Sequence, residues 1–153
     1  MILLLIHPLT AVIIIMWMAF QHQYRVLSKD LKGEERINAR NEHEAMGERI
    51  LWATISTVVI AMVARIISGV IESGDPLSMI VPTSVHGWFG PIGLVIIWLH
   101  VKHGRKVRDA REANESFAGL KMKHGRAADI IMIIAMLHAF LGFLYIFDVI
   151  KFG

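Results

Sequence analysis

The chain has 153 residues, of which 55% are hydrophobic and 19% are charged, and its mean hydropathy is +0.54. This balance is typical of an integral membrane protein and excludes an ordinary soluble domain. Cysteine is absent, which excludes disulfides, thiolate metal sites, iron–sulfur clusters and covalently attached c-type haem. The formal net charge of +3 arises from basic residues in two blocks between apolar segments. A membrane surface explains these blocks better than nucleic acid does.

Four apolar segments are each long enough to cross the hydrocarbon core of a bilayer as a helix. They are residues 2–20, 50–71, 85–101 and 127–150. The first is expected to be retained, because no basic region precedes it and no small-residue cleavage site follows it. With polar extensions, the predicted helices lie at about residues 2–24, 40–71, 84–104 and 122–151 of a single domain, residues 1–153. The expected fold is all-α, an integral membrane up-and-down four-helix bundle.

The connections between these helices differ in basic residues, and this difference predicts the orientation. Six lysines and arginines lie in the first connection, eight lie in the third, and none lies in the second, "ESGDPLSMIVPTS". The two long connections should therefore face the cytoplasm, with both termini in the periplasm or lumen of a bacterial inner or thylakoid membrane. In the second connection Gly74 and Pro76 end one helix, and Thr83 or Ser84 can cap the next.

Each predicted helix carries a histidine near its start, at His7, His43, His86 and His124. The first and third helices start at one end of the bundle, here called face A, and the second and fourth start at the opposite end, face B. Because the first and third helices are diagonal, as are the second and fourth, His7 pairs with His86 and His43 pairs with His124. Diagonal backbones roughly 12–14 Å apart suit two imidazoles that bind one iron from opposite faces of a macrocycle.

A small residue follows each of these four histidines at i+4, on the same helix face. These residues are Ala11, Gly47, Gly90 and Ala128. A bulky side chain there would collide with a macrocycle against the helix, so Gly47 and Gly90 are predicted cofactor-binding residues. The pattern favours two b-type haems, which need no covalent attachment. Small residues and interfacial histidines are also common in ordinary transmembrane packing, so a purely structural role is the alternative.

The histidine motifs also resemble a known group of membrane proteins. "HP" opens the first helix at His7, "H-x-x-x-G" enters the second at His43 and the third at His86, and His124 enters the fourth. The pattern resembles the cytochrome b-561 and ferric-reductase type of transmembrane di-haem cytochrome, and more closely a family of small cyanobacterial and other bacterial membrane proteins of unknown function. The resemblance covers nearly the whole chain. It implies that His7 and His86 bind iron near face A, that His43 and His124 bind iron near face B, and that the protein transfers electrons.

Other histidines allow a rival arrangement. His86 and His100 are fourteen residues apart, as are His124 and His138, and His22 lies fifteen after His7. Fourteen residues rise about 21 Å and return close to the same helix face. The rival arrangement keeps His7 with His86 and binds the face B haem through His22 and His100. His100 and His138 are otherwise expected to hydrogen-bond a haem edge or propionate, or to make polar contacts between helices.

Arg65 lies inside the second apolar span, where a charge is costly and usually has a partner. It follows His43 by 22 residues, so it lies on nearly the same helix face as His43 and close to face A. Arg65 is therefore expected to point into the bundle. One interpretation makes Arg65 a cofactor-binding residue that forms a salt bridge to a haem propionate. The other is that Arg65 snorkels to the outer interface or pairs with Glu72 or Asp75.

The sequence is compatible with two classes of function. The first is a haem b membrane cytochrome that carries electrons for a quinol, a small reductant or a redox partner protein, because the chain has no flavin or nucleotide motif and no assigned catalytic residue. The second is a haem-free scaffold or assembly subunit, or a single-haem anchor subunit of a quinone oxidoreductase. The lipid bilayer is an expected partner and nucleic acid is not. A homodimer and a subunit of a larger complex are both compatible with the sequence.

Overall fold

The computed structural model describes the backbone of residues 2–152 and the side chains of residues 6–146. Four α-helices account for almost all of this part of the chain, and it contains no strand. The helices are α1 (Ile2–Leu27), α2 (Gly33–Ser73), α3 (Val85–Glu112) and α4 (Ala118–Phe152). The all-α fold with four helices is therefore confirmed.

The connection between α2 and α3 has the helix-ending signals that the sequence predicts. Gly74 adopts a left-handed conformation with φ of 73°, and its backbone N–H donates to the carbonyl of Val70. Glycine suits this position because it has no Cβ to clash in the left-handed region. Ser84 caps α3, since its side chain accepts a hydrogen bond from the backbone N–H of Gly87.

The polar extensions of α2 and α3 are both longer than predicted. The helix α2 begins at Gly33 instead of about residue 40, and α3 ends at Glu112 instead of about residue 104. Their polar sequences are rich in Glu, Arg and Ala, which favour helix even where no apolar face is buried. Two ion pairs join the extension of α3 to the N-terminal part of neighbouring α2: Arg111 to Glu44 and Arg105 to Glu48, each at 2.6 Å. The hydrogen bond from Arg105 lowers the pKa of Glu48, so this pair is ionised at neutral pH.

The helices pack as an antiparallel ring in the order α1, α2, α3, α4. Among the described residues, α1 contacts α2 and α4, and α3 also contacts α2 and α4, whereas neither α1 with α3 nor α2 with α4 makes close backbone contacts. The C-terminal part of α1 packs against the N-terminal parts of α2 and α4. Gln21 donates to the carbonyl of His43 in α2, and His22 contacts Asp129 in α4. The predicted diagonals, α1 with α3 and α2 with α4, are the diagonals of the structure.

Apolar side chains are distributed over the outside of the bundle rather than the inside. Only seven hydrophobic residues are buried among those described, and they include Ile14, Met18, Ile50 and Ile131 at the centre. Large apolar side chains on the outer faces are exposed, among them Trp52 at 65% and Ile133 at 60%. Three helices in the described part of the chain are long and apolar enough to cross a membrane: Gly33–Ser73, Val85–Glu112 and Ala118–Ile146.

The α2–α3 connection folds back onto the end of α2 and covers part of face A. Arg65 holds it by donating to the carbonyls of Met79 at 2.6 Å and Val81 at 3.1 Å. Gly69 allows the close approach, because a Cβ there would lie 2.8 Å from the carbonyl oxygen of Asp75 and 2.9 Å from Oγ of Ser78. The guanidinium of Arg65 therefore hydrogen-bonds to backbone carbonyls. Among the described contacts it makes no ion pair with Glu72 or Asp75.

We expect Gly69→Ala to destabilise the folded protein by about 1–3 kcal/mol, because the added methyl group would collide with loop backbone. The apparent melting temperature of the purified protein would report this loss. Gly119→Ala is the matched control, since a Cβ at Gly119 meets nothing within 4 Å. Alanine at this helical position should be neutral or stabilising. Equal melting temperatures for the two variants would show that the loop does not pack on α2 as described.

Candidate functional site: two histidine clusters

Three histidines meet near face A and form what we call cluster A: His7, His86 and His138. The ring centroids of His7 and His86 are 6.0 Å apart, with an angle of 72° between the ring planes. His138 stacks on His86 at 4.3 Å and 8°. The Nδ1 atom of His86 donates to the backbone carbonyl of His138 at 3.2 Å, which leaves Nε2 of His86 as the free ring nitrogen. All three side chains are half-buried.

A second group near face B, cluster B, comprises His43, His100 and His124. The ring centroids of His43 and His124 lie 6.4 Å apart with ring planes at 87°. His100 stacks on His124 at 4.0 Å and 9°, and Tyr24 stacks on His43 at 4.2 Å. His103 is also half-buried beside this cluster, where its Nε2 atom bonds the carbonyl of Leu120 at 3.1 Å.

The donor set of each diagonal pair fits a bis-histidine iron site. A metal–imidazole bond is about 2.0–2.1 Å long, so two imidazoles on opposite sides of one metal have ring centres roughly 6 Å apart. The spacings of 6.0 Å and 6.4 Å match this value. The Nδ1 atoms of five histidines are buried without a hydrogen-bond partner in the protein, and a ligand that engaged these rings would offset part of that cost. They belong to His7, His43, His100, His124 and His138.

The cavity between the helices is smaller than a macrocycle would need. An apolar cavity of about 100 Å³ extends from His7 and His138 toward the centre of the bundle, bordered by Ala11, Gly90 and Gly93 among others. Ligand pockets usually enclose about 300–1,000 Å³. The residues therefore fit a haem by chemistry and by ring spacing, and side chains along the diagonals have to move to admit one.

Two glycines, Gly142 and Gly104, lie directly against histidine rings of the neighbouring helix. A Cβ at Gly142 would lie 2.7 Å from Cε1 of His86, and one at Gly104 would lie 3.1 Å from Cε1 of His124. The two glycines that the sequence singled out behave differently. Gly90 faces open space, and Gly47 has only Gln21 within 4 Å. Gly104 and Gly142 thus support the predicted ligands of the neighbouring helix, while Gly90 leaves room beside the cavity.

A spacing of fourteen residues along each helix, here called the fourteen-residue register, relates the residues at one cluster to those at the other. Fourteen residues rise about 21 Å, so a helix that provides a histidine to one cluster provides its residue at i+14 to the other. In α3 and α4 these residues are His100 and His138. In α1 and α2 they are Gln21, which donates to the carbonyl of His43, and buried Thr57, which borders the same cavity as His7. Sequence reasoning missed Gln21 and Thr57, and counting fourteen residues from His7 and His43 would have found both.

His22 lies outside cluster B. Its Nε2 atom contacts a carboxylate oxygen of Asp129 at 2.7 Å, and Arg25 contacts the other oxygen at 3.0 Å. These contacts join α1 to α4 at face B and engage the ring nitrogen that a metal would need. His100, the other member of the rival arrangement, belongs to cluster B through His124. His22 and His100 therefore do not face each other as a pair, whereas His43 and His124 do.

Comparisons with protein-family models, with curated proteins and with solved structures find no match for this chain. The site must therefore be interpreted from its own geometry. What that geometry provides is two imidazole pairs at opposite ends of an apolar bundle, each with a further histidine stacked on one member.

We expect Gly142→Ala to displace the His86 ring, because the new methyl group would overlap Cε1 and approach Nδ1 to 3.1 Å. The displacement should break the hydrogen bond to the His138 carbonyl and cost about 1–3 kcal/mol of stability. The ring Cε1 resonance of His86 in an NMR spectrum would shift. Gly90→Ala provides the control, since its Cβ meets nothing within 4 Å. An unchanged His86 resonance in Gly142→Ala would contradict the packing described for cluster A.

Proposed function

We propose that this chain is an integral membrane cytochrome that binds two b-type haems and carries electrons between the two faces of a membrane. In this proposal His7 and His86 bind the haem at face A, and His43 and His124 bind the haem at face B. The observation that carries the proposal is the ring spacing of these two diagonal pairs, 6.0 Å and 6.4 Å, at opposite ends of the bundle.

The distribution of apolar side chains supports placement in a bilayer. A water-soluble bundle buries its large hydrophobic residues, whereas here the outer faces carry them and few are buried. The basic residues lie in the two connections at face B, and the connection at face A has none. By the positive-inside rule face B is then cytoplasmic, and face A lies in the periplasm or lumen of a bacterial inner or thylakoid membrane.

The chain's own residues hold and orient the imidazoles. The carbonyl of His138 fixes the tautomer of His86 and leaves its Nε2 atom free to bind a metal. Because Gly104 and Gly142 have no side chain, Cε1 of His124 and Cε1 of His86 approach the neighbouring helix closely. Apolar side chains such as Ile14 and Ile131 between the clusters exclude water.

A bound haem would supply a reversible one-electron centre. Because the sequence has no flavin or nucleotide motif, the electron donor would be a quinol, a small reductant or a redox partner protein. A chain with one electron-carrying site at each face would connect a donor on one side of the membrane to an acceptor on the other.

The proposal is tested by counting haems in the purified protein. A pyridine haemochrome assay should give two non-covalent b haems per chain, and the reduced spectrum should show a sharp α-band. One haem per chain would favour a single-haem anchor subunit of a quinone oxidoreductase. The absence of haem after expression with excess haem would leave the scaffold or assembly subunit.

Substitutions at face B identify the iron ligands of the second haem. We expect His43→Ala and His124→Ala each to remove or convert one haem, because each variant removes one of the two facing imidazoles at face B. The face A site should stay spectroscopically normal. His22→Ala is the control, since His22 contacts Asp129. If His22→Ala and His100→Ala abolish a haem while the first two variants do not, the rival arrangement is correct.

Arg65→Leu should lower the reduction potential of the face A haem, because the loss of a nearby positive charge disfavours the reduced state. For one unit charge and an effective dielectric constant of about 20, the expected contribution is on the order of 1 kcal/mol, or tens of millivolts. The same variant should expose the α2–α3 connection to protease, because Arg65 binds Met79 and Val81 there.

Arg65→Lys separates these two effects. Lysine keeps the charge but lacks the planar set of donors that holds two carbonyls. The potential should therefore stay near that of the unaltered protein while the connection becomes easier to cleave. Equal potentials in the unaltered protein and Arg65→Leu would show that Arg65 acts only on the connection and is not a cofactor-binding residue.

A further inference from the structure

We propose that cluster A also forms a three-histidine site that binds one divalent transition-metal ion when no haem is present. The ligands are His7, His86 and His138. This proposal goes beyond electron transfer and does not depend on it, because it needs three imidazoles and a haem iron needs two.

The geometry of cluster A carries this inference. His7, His86 and His138 each offer one ring nitrogen, and these nitrogens all lie within 4.8 Å of one another. Three nitrogens bound tetrahedrally to one Zn²⁺ or Co²⁺ ion lie about 3.3–3.4 Å apart, since each bond is about 2.0–2.1 Å long. The nitrogens have to approach one another by roughly 1 Å, and the stacked rings of His86 and His138 have to tilt out of their parallel arrangement so that their lone pairs meet at one ion.

The donor atoms are prepared for a metal. His86 donates its Nδ1 proton to the carbonyl of His138, so its Nε2 lone pair is free. The Nδ1 atoms of His7 and His138 are buried and have no hydrogen-bond partner in the protein. A neutral imidazole with a second nitrogen fixed by a backbone carbonyl is the usual form of a metal-binding histidine.

The chemistry of the ligands selects the class of metal. Three imidazoles without a thiolate or carboxylate suit Zn²⁺, Co²⁺, Ni²⁺ or Cu²⁺ and do not suit Mg²⁺ or Ca²⁺, which prefer oxygen ligands. Three protein ligands leave a fourth tetrahedral position for water or a small molecule, as in catalytic zinc sites. Cluster A therefore provides an open metal site at face A.

Cluster B offers a natural comparison. It contains as many histidines, and His100 occupies the position equivalent to His138 in the fourteen-residue register. Within residues 6–146, however, only cluster A brings three ring nitrogens within 4.8 Å of one another. The third histidine at face B is therefore a matched control for the third histidine at face A.

Cobalt is the probe for the test, because tetrahedral Co²⁺ has strong visible absorption bands. The full chain is purified in detergent after expression without haem and is titrated with Co²⁺, and the metal content is measured by mass spectrometry. We expect one Co²⁺ per chain. His138→Gln should weaken Co²⁺ binding at least tenfold, and His100→Gln should leave it unchanged. His7→Ala should abolish it.

Haem uptake by the same variants distinguishes this inference from the proposed function. His138→Gln should still take up haem at face A, whereas His7→Ala should lose both haem and Co²⁺ there. If no variant binds haem but the Co²⁺ results hold, the proposed function fails and the metal site stands. Equal Co²⁺ affinity in the unaltered protein and His138→Gln, or no stoichiometric Co²⁺ binding, would overturn the metal site. Circular dichroism confirms that each variant is folded before it is titrated.

Discussion

The burial of imidazole side chains between apolar helices is the constraint on which this bundle depends. A buried imidazole nitrogen without a hydrogen bond costs about 1–3 kcal/mol, and the two clusters contain five such nitrogens. The fold offsets part of this cost by stacking His138 on His86 and His100 on His124. It also binds His86 to a backbone carbonyl. A metal or cofactor that engages the remaining nitrogens would stabilise the folded protein by mass action.

The fourteen-residue register makes the two clusters parts of one framework. Helices α3 and α4 each contribute a histidine to both clusters, so a rotation of α3 that moves His86 also moves His100. The antiparallel packing of α3 on α4 repeats the same contact at each end, with Gly142 beneath His86 and Gly104 beneath His124.

Much of this arrangement could be predicted from the sequence. Helix number, the diagonals and the pairing of His7 with His86 follow from apolar segment length and from the position of each histidine near a helix start. The stacking of His138 on His86 could not be predicted, because the two residues are 52 positions apart and their contact depends on how α4 is rotated against α3. The contacts of Arg65 with the Met79 and Val81 carbonyls depend in the same way on the path of a loop that carries no periodic signal.

The two faces are held by different interactions, and this difference bears on what each can bind. At face B ion pairs link the helices: Arg111 with Glu44, Arg105 with Glu48, and Arg25 with Asp129. These contacts resist separation of the helix ends around cluster B. At face A the described contacts are the hydrogen bonds of the α2–α3 connection and the histidines themselves, beside a cavity of about 100 Å³. Among the described residues no ion pair links the helices around cluster A, so fewer interhelix contacts oppose the ring movements that the proposed three-histidine metal site would require.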